Sequence, residues 1–367
     1  MGGIVRSSWG CRRPWPDGRA RAATRARAST TARRALRRGP RSSRPTTTST
    51  SPSTTSPSTS PPAATASSAG TPASAATRPT SSSTTPSPRS APASAGSASG
   101  PGAERIVLLG NSGGGSLMAA YQSQAVRPSV TPVAGMRPVP AIEDLPAGDL
   151  FIALAAHAGR PEVLTAWMDP SVADETDPLS ADPSLDPFDP ANGPPYSAGF
   201  QARYRAAQRA RNERITDRVL ARLDALKGTR ARDELFTVHR TWADLRMMDP
   251  SIEPSDREPN RCYLGEPVKA NYGVFGIGSL CTLRSWLSMW SLRTSQCSAA
   301  PHLARITVPS LVVHATADEG VHDSDARAIF DALAASDKTL DFIEDTHYLP
   351  RSRPWAADLI DAWVRDH

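Results

Sequence analysis

Ser112 stands between glycines in Gly110-Asn111-Ser112-Gly113-Gly114, a residue type and spacing that suit acyl transfer. A serine hydroxyl attacks a carbonyl only when it stands clear of its own backbone and meets a base. Small neighbours permit the sharp turn that exposes it. The preceding run, Arg105-Ile106-Val107-Leu108-Leu109, is aliphatic over strand length, and Leu117, Met118, Ala120, Tyr121 and Gln124 predict a helix over 116–124. Strand, G-x-S-x-G and helix together are the setting of a nucleophile elbow. The N-terminus of that helix would bring the Gly113 N–H to the oxygen that gains charge during attack. A dinucleotide fingerprint would need glycine where Ser112 stands, and a phosphate loop would need a lysine that Gly115-Ser116-Leu117 lacks.

Two downstream elements hold further acids and histidines. Pro309-Ser310-Leu311-Val312-Val313-His314-Ala315 reads as a buried strand ending at Thr316-Ala317-Asp318-Glu319. A helical pattern follows (Ala326, Ile329, Phe330, Leu333), then a strand through Leu340-Asp341-Phe342-Ile343, then Glu344-Asp345-Thr346-His347. Trp355, Leu359, Ile360, Trp363 and Val364 predict a closing amphipathic helix entered at Pro354. An acid thus ends one strand and a histidine follows the next, in the order Ser, Asp, His. On these three motifs the chain from Glu104 onward resembles the α/β-hydrolase superfamily. The resemblance implies Ser112 as nucleophile, His347 as general base and Asp318 as the carboxylate that orients the imidazole and stabilises its cation. It implies Gly113 as oxyanion donor, and neither a metal nor an organic cofactor. Glu319, Asp323, Asp325 and Asp345 lie close in sequence, and the strand-end position selects Asp318 among them.

Asp149 to Ala156 reads as the strand after the nucleophile strand, ending at His157. Asn111 and His157 are expected at the substrate pocket, His314 near it, and His239, His302 and His322 at the surface. From 165 to 303 no further core strand is evident, which predicts a helical cap inserted between core segments 104–164 and 304–367. Phe200, Tyr204, Ala207, Ile215, Val219, Leu223 and Leu226 recur at helical spacing, and the seven arginines interleaved from Arg203 to Arg222 read as a solvated face. Trp286 and Trp290 are the aromatic candidates for roofing a pocket. Asp177, Asp182, Asp186 and Asp189 each precede proline, which is loop chemistry rather than the spacing of a calcium site.

The first hundred residues obey other rules. From Arg6 to Ala103 the chain uses Arg, Ser, Thr, Pro, Ala, Gly, Trp and Cys, with only Asp17 and Leu36 besides. Such a segment has nothing to build a core from and reads as a disordered low-complexity tail over 1–103. Every one of those eight residue types can carry G or C in its middle codon position, so out-of-frame translation of a GC-rich gene explains the tail best. A transit peptide, a glycosylated stalk and a basic nucleic-acid-binding arm are the other readings weighed. The tail holds 15 Arg and one Asp, leaving 27 basic and 35 acidic residues in the body. The basic balance of the chain therefore belongs to the tail, and the acidic body gives no case for a nucleic-acid partner. No stretch is long and apolar enough to span a membrane, and the body's Cys262, Cys281 and Cys297, odd in number and without CxxC spacing, suit a reducing, cytoplasmic setting.

Together these features predict an α/β fold: a partial α/β-hydrolase sheet from the nucleophile strand onward, a helical cap and a disordered N-terminal tail. The expected function is a serine hydrolase cleaving an ester-like bond of a small, largely apolar acyl substrate through an acyl-enzyme. In the superfamily the strands before the elbow supply half the sheet and a second oxyanion donor, and residues 6–103 supply neither. A catalytically silent, hydrolase-like binding protein is the alternative.

Overall fold

The computed structural model describes residues 4–5, 105–133, 136 and 144–367. The expectations for the tail lie outside the described residues, apart from a short strand β1 (Ile4–Val5). Five parallel strands form the main sheet. They are β1, β2 (Val107–Asn111), β3 (Leu150–Leu154), β6 (Ser310–Ala315) and β7 (Lys338–Ile343), in the spatial order β1-β7-β6-β3-β2. Strands β4 (Leu235–Thr237) and β5 (Leu280–Thr282) pair with each other, antiparallel and outside this sheet. No strand between residues 165 and 303 joins the main sheet.

Strand alternation sorts the core into two faces. Phe151, Ala153, Val312 and Leu340 join α1 (Gly113–Val126) and the later helix at 323–332 on one face. Leu150, Ile152, Leu311, Val313 and Ile343 join Trp363 and Ala356 on the other. All six residues of β6 are buried, as the run around Leu311-Val312-Val313 predicts for a central parallel strand. Strand β2 starts two residues later than the aliphatic run suggests. The Ile106 N–H goes to Asp149 Oδ2 and Arg105 to the Val364 carbonyl, so ladder pairing begins at Val107. Among the described residues β2 has a neighbour on one side only, and Leu109 is 43% exposed.

The cap hangs on one long helix. After α2 (Arg160–Trp167) and an Asp-Pro-rich loop, α3 (Ala198–Ala225) begins at Ser197, whose hydroxyl accepts the Phe200 N–H. In the loop, Asp177, Asp182, Asp186 and Asp189 each accept the N–H two residues on, the turn chemistry expected of them. Phe200, Tyr204, Ile215 and Val219 face inward, but Gln208, Arg211, Asn212 and Thr216 share that face. The solvated reading of the arginines fails at Arg211. It is fully buried, paired with Glu175 at 2.6 Å and bonded to the Asp169 and His239 carbonyls. Gln208 spans the Ala166 and Met168 carbonyls, while Asn212 bonds Thr165 and the Trp290 carbonyl. Polar side chains thus fasten α3 to its neighbours where apolar packing alone would let it slide.

Four short helices follow: α4 (Leu245–Met248), α5 (Pro267–Asn271), α6 (Leu283–Met289) and α7 (Ala300–Leu303). The chain then re-enters the sheet through β6, α8 (Asp323–Ala332), β7 and α9 (Arg353–Asp366). Arg246 at α4 reaches Asp244, Glu253 and Asp325, tying the cap to the start of α8. Beside it His322 is buried, not at the surface, and burial with the Arg246 charge holds it neutral with a pKa of about 3. His302 is also buried, its Nε2–H donating to the Gln296 carbonyl at 2.8 Å. No described helix is long and apolar enough to cross a membrane, and no group of potential ligands among the described residues could hold a metal ion.

Candidate active site

Ser112 is the residue between β2 and α1, with φ 55° and ψ −123°. A side chain at positive φ is strained by about 1–3 kcal/mol, so the surroundings must enforce it. Its N–H donates to the Leu154 carbonyl at 2.9 Å and its own carbonyl accepts from Gly115 at 3.0 Å. The glycines explain why the turn fits. A Cβ on Gly110 would sit 2.3 Å from the Gly114 carbonyl oxygen, and one on Gly115 2.3 Å from the Ala156 Cβ. Gly114, the last glycine of the motif, meets nothing within 4 Å. The helix starts directly at Gly113, three residues before the apolar spacing predicts, so the backbone N–H groups of its first turn crowd around the serine.

His347 and Asp318 lie side by side. His347 Nδ1 donates to Asp318 Oδ2 at 2.6 Å, both side chains being buried. Burial opposes ionisation of Asp318, yet the histidine beside it and the Tyr263 hydroxyl hold its carboxyl below the usual range. Backbone N–H groups of Gly320 and Val321, each at 3.0 Å, complete the shell around Oδ1. With Nδ1–H committed to the carboxylate, Nε2 carries the lone pair a general base needs. Among the described residues neither Ser112 Oγ nor His347 Nε2 has a hydrogen-bond partner, so the two halves of the site are held separately.

His157, just beyond β3, stands between those halves. Its Nε2 lies 3.2 Å from where a Gly113 Cβ would be, and charge on His347 adds to burial and Arg160 in lowering its pKa to about 3. Asn111 points elsewhere, donating from Nδ2 to the Leu154 carbonyl. Trp286 does not face the site. It is wholly buried in the cap, its indole N–H donating to Thr216 Oγ1 at 3.0 Å. Trp290 belongs to the same apolar cluster but offers its ring to the Arg160 guanidinium at 5.6 Å. His314 is buried near Asp323 and edges onto Phe342.

The spacing of motifs gives no sign of Tyr263. This cap residue donates its hydroxyl to Asp318 Oδ1 at 2.6 Å, lies 3.0 Å from His347 Nδ1 and tilts its ring over the imidazole at 4.5 Å. Trp167, Trp242 and Tyr348 pack around it. Replacing Tyr263 with Phe keeps that packing and removes one hydrogen bond to a charged group. The expected result is a fall in kcat of about 5- to 10-fold with little change in KM. Asp318, no longer shared, would hold the imidazolium more tightly, so the acid limb of the kcat/KM profile should move to higher pH. A KM effect without a shifted profile would mark Tyr263 as a packing residue.

No protein-family model matches the chain, and no curated protein matches it. Solved structures to which it is similar include DcsB in complex with its substrate analogue, 11% identical with a TM-score of 0.38 over 75% of this chain and 69% of that one. Another is the monoacylglycerol lipase of Paleococcus ferrophilus, 15% identical with a TM-score of 0.29 over 71% and 68%. A third is an alpha/beta fold family hydrolase of Bacillus anthracis, 12% identical with a TM-score of 0.27 over 71% and 66%. Scores of this size carry no argument of their own. The strand order from β2 to β7, the serine at its turn and the strand-end aspartate and histidine define a fold of the α/β-hydrolase type.

Proposed function

We propose that this chain is a serine hydrolase that cleaves an ester-like bond. Ser112 attacks the acyl carbon and His347 Nε2 takes its proton. The Gly113 N–H stabilises the tetrahedral oxyanion, and His347 returns the proton to the leaving alcohol. Water then releases the acyl group by the same steps in reverse. The carrying observation is the 2.6 Å bond from His347 to an ionised, buried Asp318, assembled beyond the ends of two adjacent strands. The aromatic residues over His347 favour a small, largely apolar acyl group. The test is labelling of the full chain with a fluorophosphonate. Stoichiometric labelling that disappears in Ser112→Ala supports the reading, and a folded protein that never labels refutes it.

One observation favours the silent, ligand-binding reading instead. Strand β2 carries the serine on the sheet's edge among the described residues, and Gly113 is the one backbone oxyanion donor the elbow supplies. Loss of one such donor costs on the order of a hundredfold or more in rate. Under that reading the probe leaves the serine unlabelled while the cap still binds its ligand.

A further inference from the structure

Two polar side chains beside the nucleophile turn have no part in the triad. His157 is 8% exposed, and its Nδ1 accepts the Gly159 N–H at 3.2 Å, which puts the ring proton on Nε2. That Nε2–H has no acceptor and is aimed at the first turn of α1, 3.2 Å from the Gly113 Cβ position. Arg160 opens α2, and one of its terminal nitrogens comes within 3.8 Å of the same point. Both side chains converge on the point that a side chain at residue 113 would occupy.

Arg160 is an exception among the arginines drawn into this fold. Arg211 pairs with Glu175, Arg240 with Asp169 and Arg246 with Asp244, while Arg257 takes the Arg246 and Glu253 carbonyls. Among the described residues no carboxylate lies within ion-pair distance of Arg160 and no carbonyl accepts from it. Glu162, close in sequence, bonds Ser298 instead, and the guanidinium lies over the Trp290 ring. A partly buried cation without a protein acceptor gains an interaction when an anion arrives. The positive dipole end of α1 lies beside the same point. All three features ask for negatively charged oxygen.

We propose that Arg160, the His157 Nε2–H and the first turn of α1 form a carboxylate subsite, and that the substrate is an acyl compound bearing one free carboxylate. The word substrate rests on the hydrolase reading; the anion site does not. Arg160 holds the carboxylate through charge-assisted hydrogen bonds, and neutral His157 supplies a further donor without needing to be protonated. The carboxylate is bound, not transformed, so it orients the ester carbonyl toward Ser112 and selects half-esters over diesters.

The test uses the full chain carrying Ser112→Ala, so that nothing is hydrolysed, titrated calorimetrically with monomethyl glutarate and with dimethyl glutarate. The half-ester is expected to bind roughly 10- to 100-fold more tightly, the worth of a hydrogen-bonded charge pair. Adding Arg160→Gln should erase that preference. Adding Gly113→Ala, which fills the space with a methyl group and leaves the guanidinium in place, should erase most of it. Equal affinities, binding of neither ester, or a preference that survives both variants would overturn the proposal. A preference of the expected size in a chain whose serine never labels would keep the subsite and remove the hydrolase reading.

Discussion

Replacing His347 with alanine is expected to lower kcat/KM for a short-chain aryl ester by about four orders of magnitude or more, and Ser112→Ala by a similar factor. The base and the nucleophile act in one step, so the double variant should be no worse than the more damaged single one. Asp318→Asn is expected to approach the same loss for a different reason. An amide at the 2.6 Å position can present its NH2 group to Nδ1, which drives the ring proton to Nε2 and leaves no lone pair facing the serine. The pH profile separates these causes. Asp318→Asn should recover part of its rate as pH rises, because hydroxide can replace the missing base, whereas Ser112→Ala should stay flat. Losses below tenfold in the first two variants would show that any turnover arises elsewhere. Steady-state rates with each variant's melting midpoint as control decide the matter.

The parts of this fold visible in the sequence are those governed by burial period. Strands β3 and β6 carry short apolar runs because helices cover both their faces, and such runs have few other uses. The proposed site residues Ser112, Asp318 and His347 are legible because each follows a strand and they occur in the expected order. Tyr263 and Arg160 were not visible, since a loop tyrosine and a helix-opening arginine obey no period. Arg211 is more instructive. It lies seven residues after Tyr204 and four before Ile215, so its position belonged to the buried face while its residue type pointed to solvent. Period should have outweighed type there, with Glu175 supplying the countercharge. Trp286 shows the converse error. A large aromatic side chain was assigned to a pocket, but its indole N–H finds its acceptor inside the cap, as a buried tryptophan normally must.

Asp345→Ala is expected to destabilise the fold by about 3 kcal/mol and to lower kcat as well, although Asp345 touches no member of the triad. Its side chain is fully buried and accepts from the backbone N–H groups of Thr346, Arg351 and Ser352 at 2.8–2.9 Å and from Ser352 Oγ at 2.7 Å. Its own carbonyl takes the Ala317 N–H at 3.0 Å, joining the loop that carries His347 to the loop that carries Asp318. Removing the carboxylate strands those donors and loosens the turn on which His347 rides. Burial opposes ionisation of Asp345, but the hydrogen bonds from Ser352, Thr346 and Arg351 outweigh it and bring the pKa down to about 2. A carboxyl whose pKa is lower folded than unfolded stabilises above its unfolded value and stops doing so as pH falls through the folded one. The ionised group should therefore contribute about 2 kcal/mol at neutral pH, lost between about pH 4 and pH 2. Asp345→Asn keeps the shape and cannot ionise. In urea unfolding, the gap between wild type and this variant should be widest at neutral pH and should close through that acid window. A gap independent of pH would mean that the lost hydrogen-bond acceptor, and not charge, holds the two loops together.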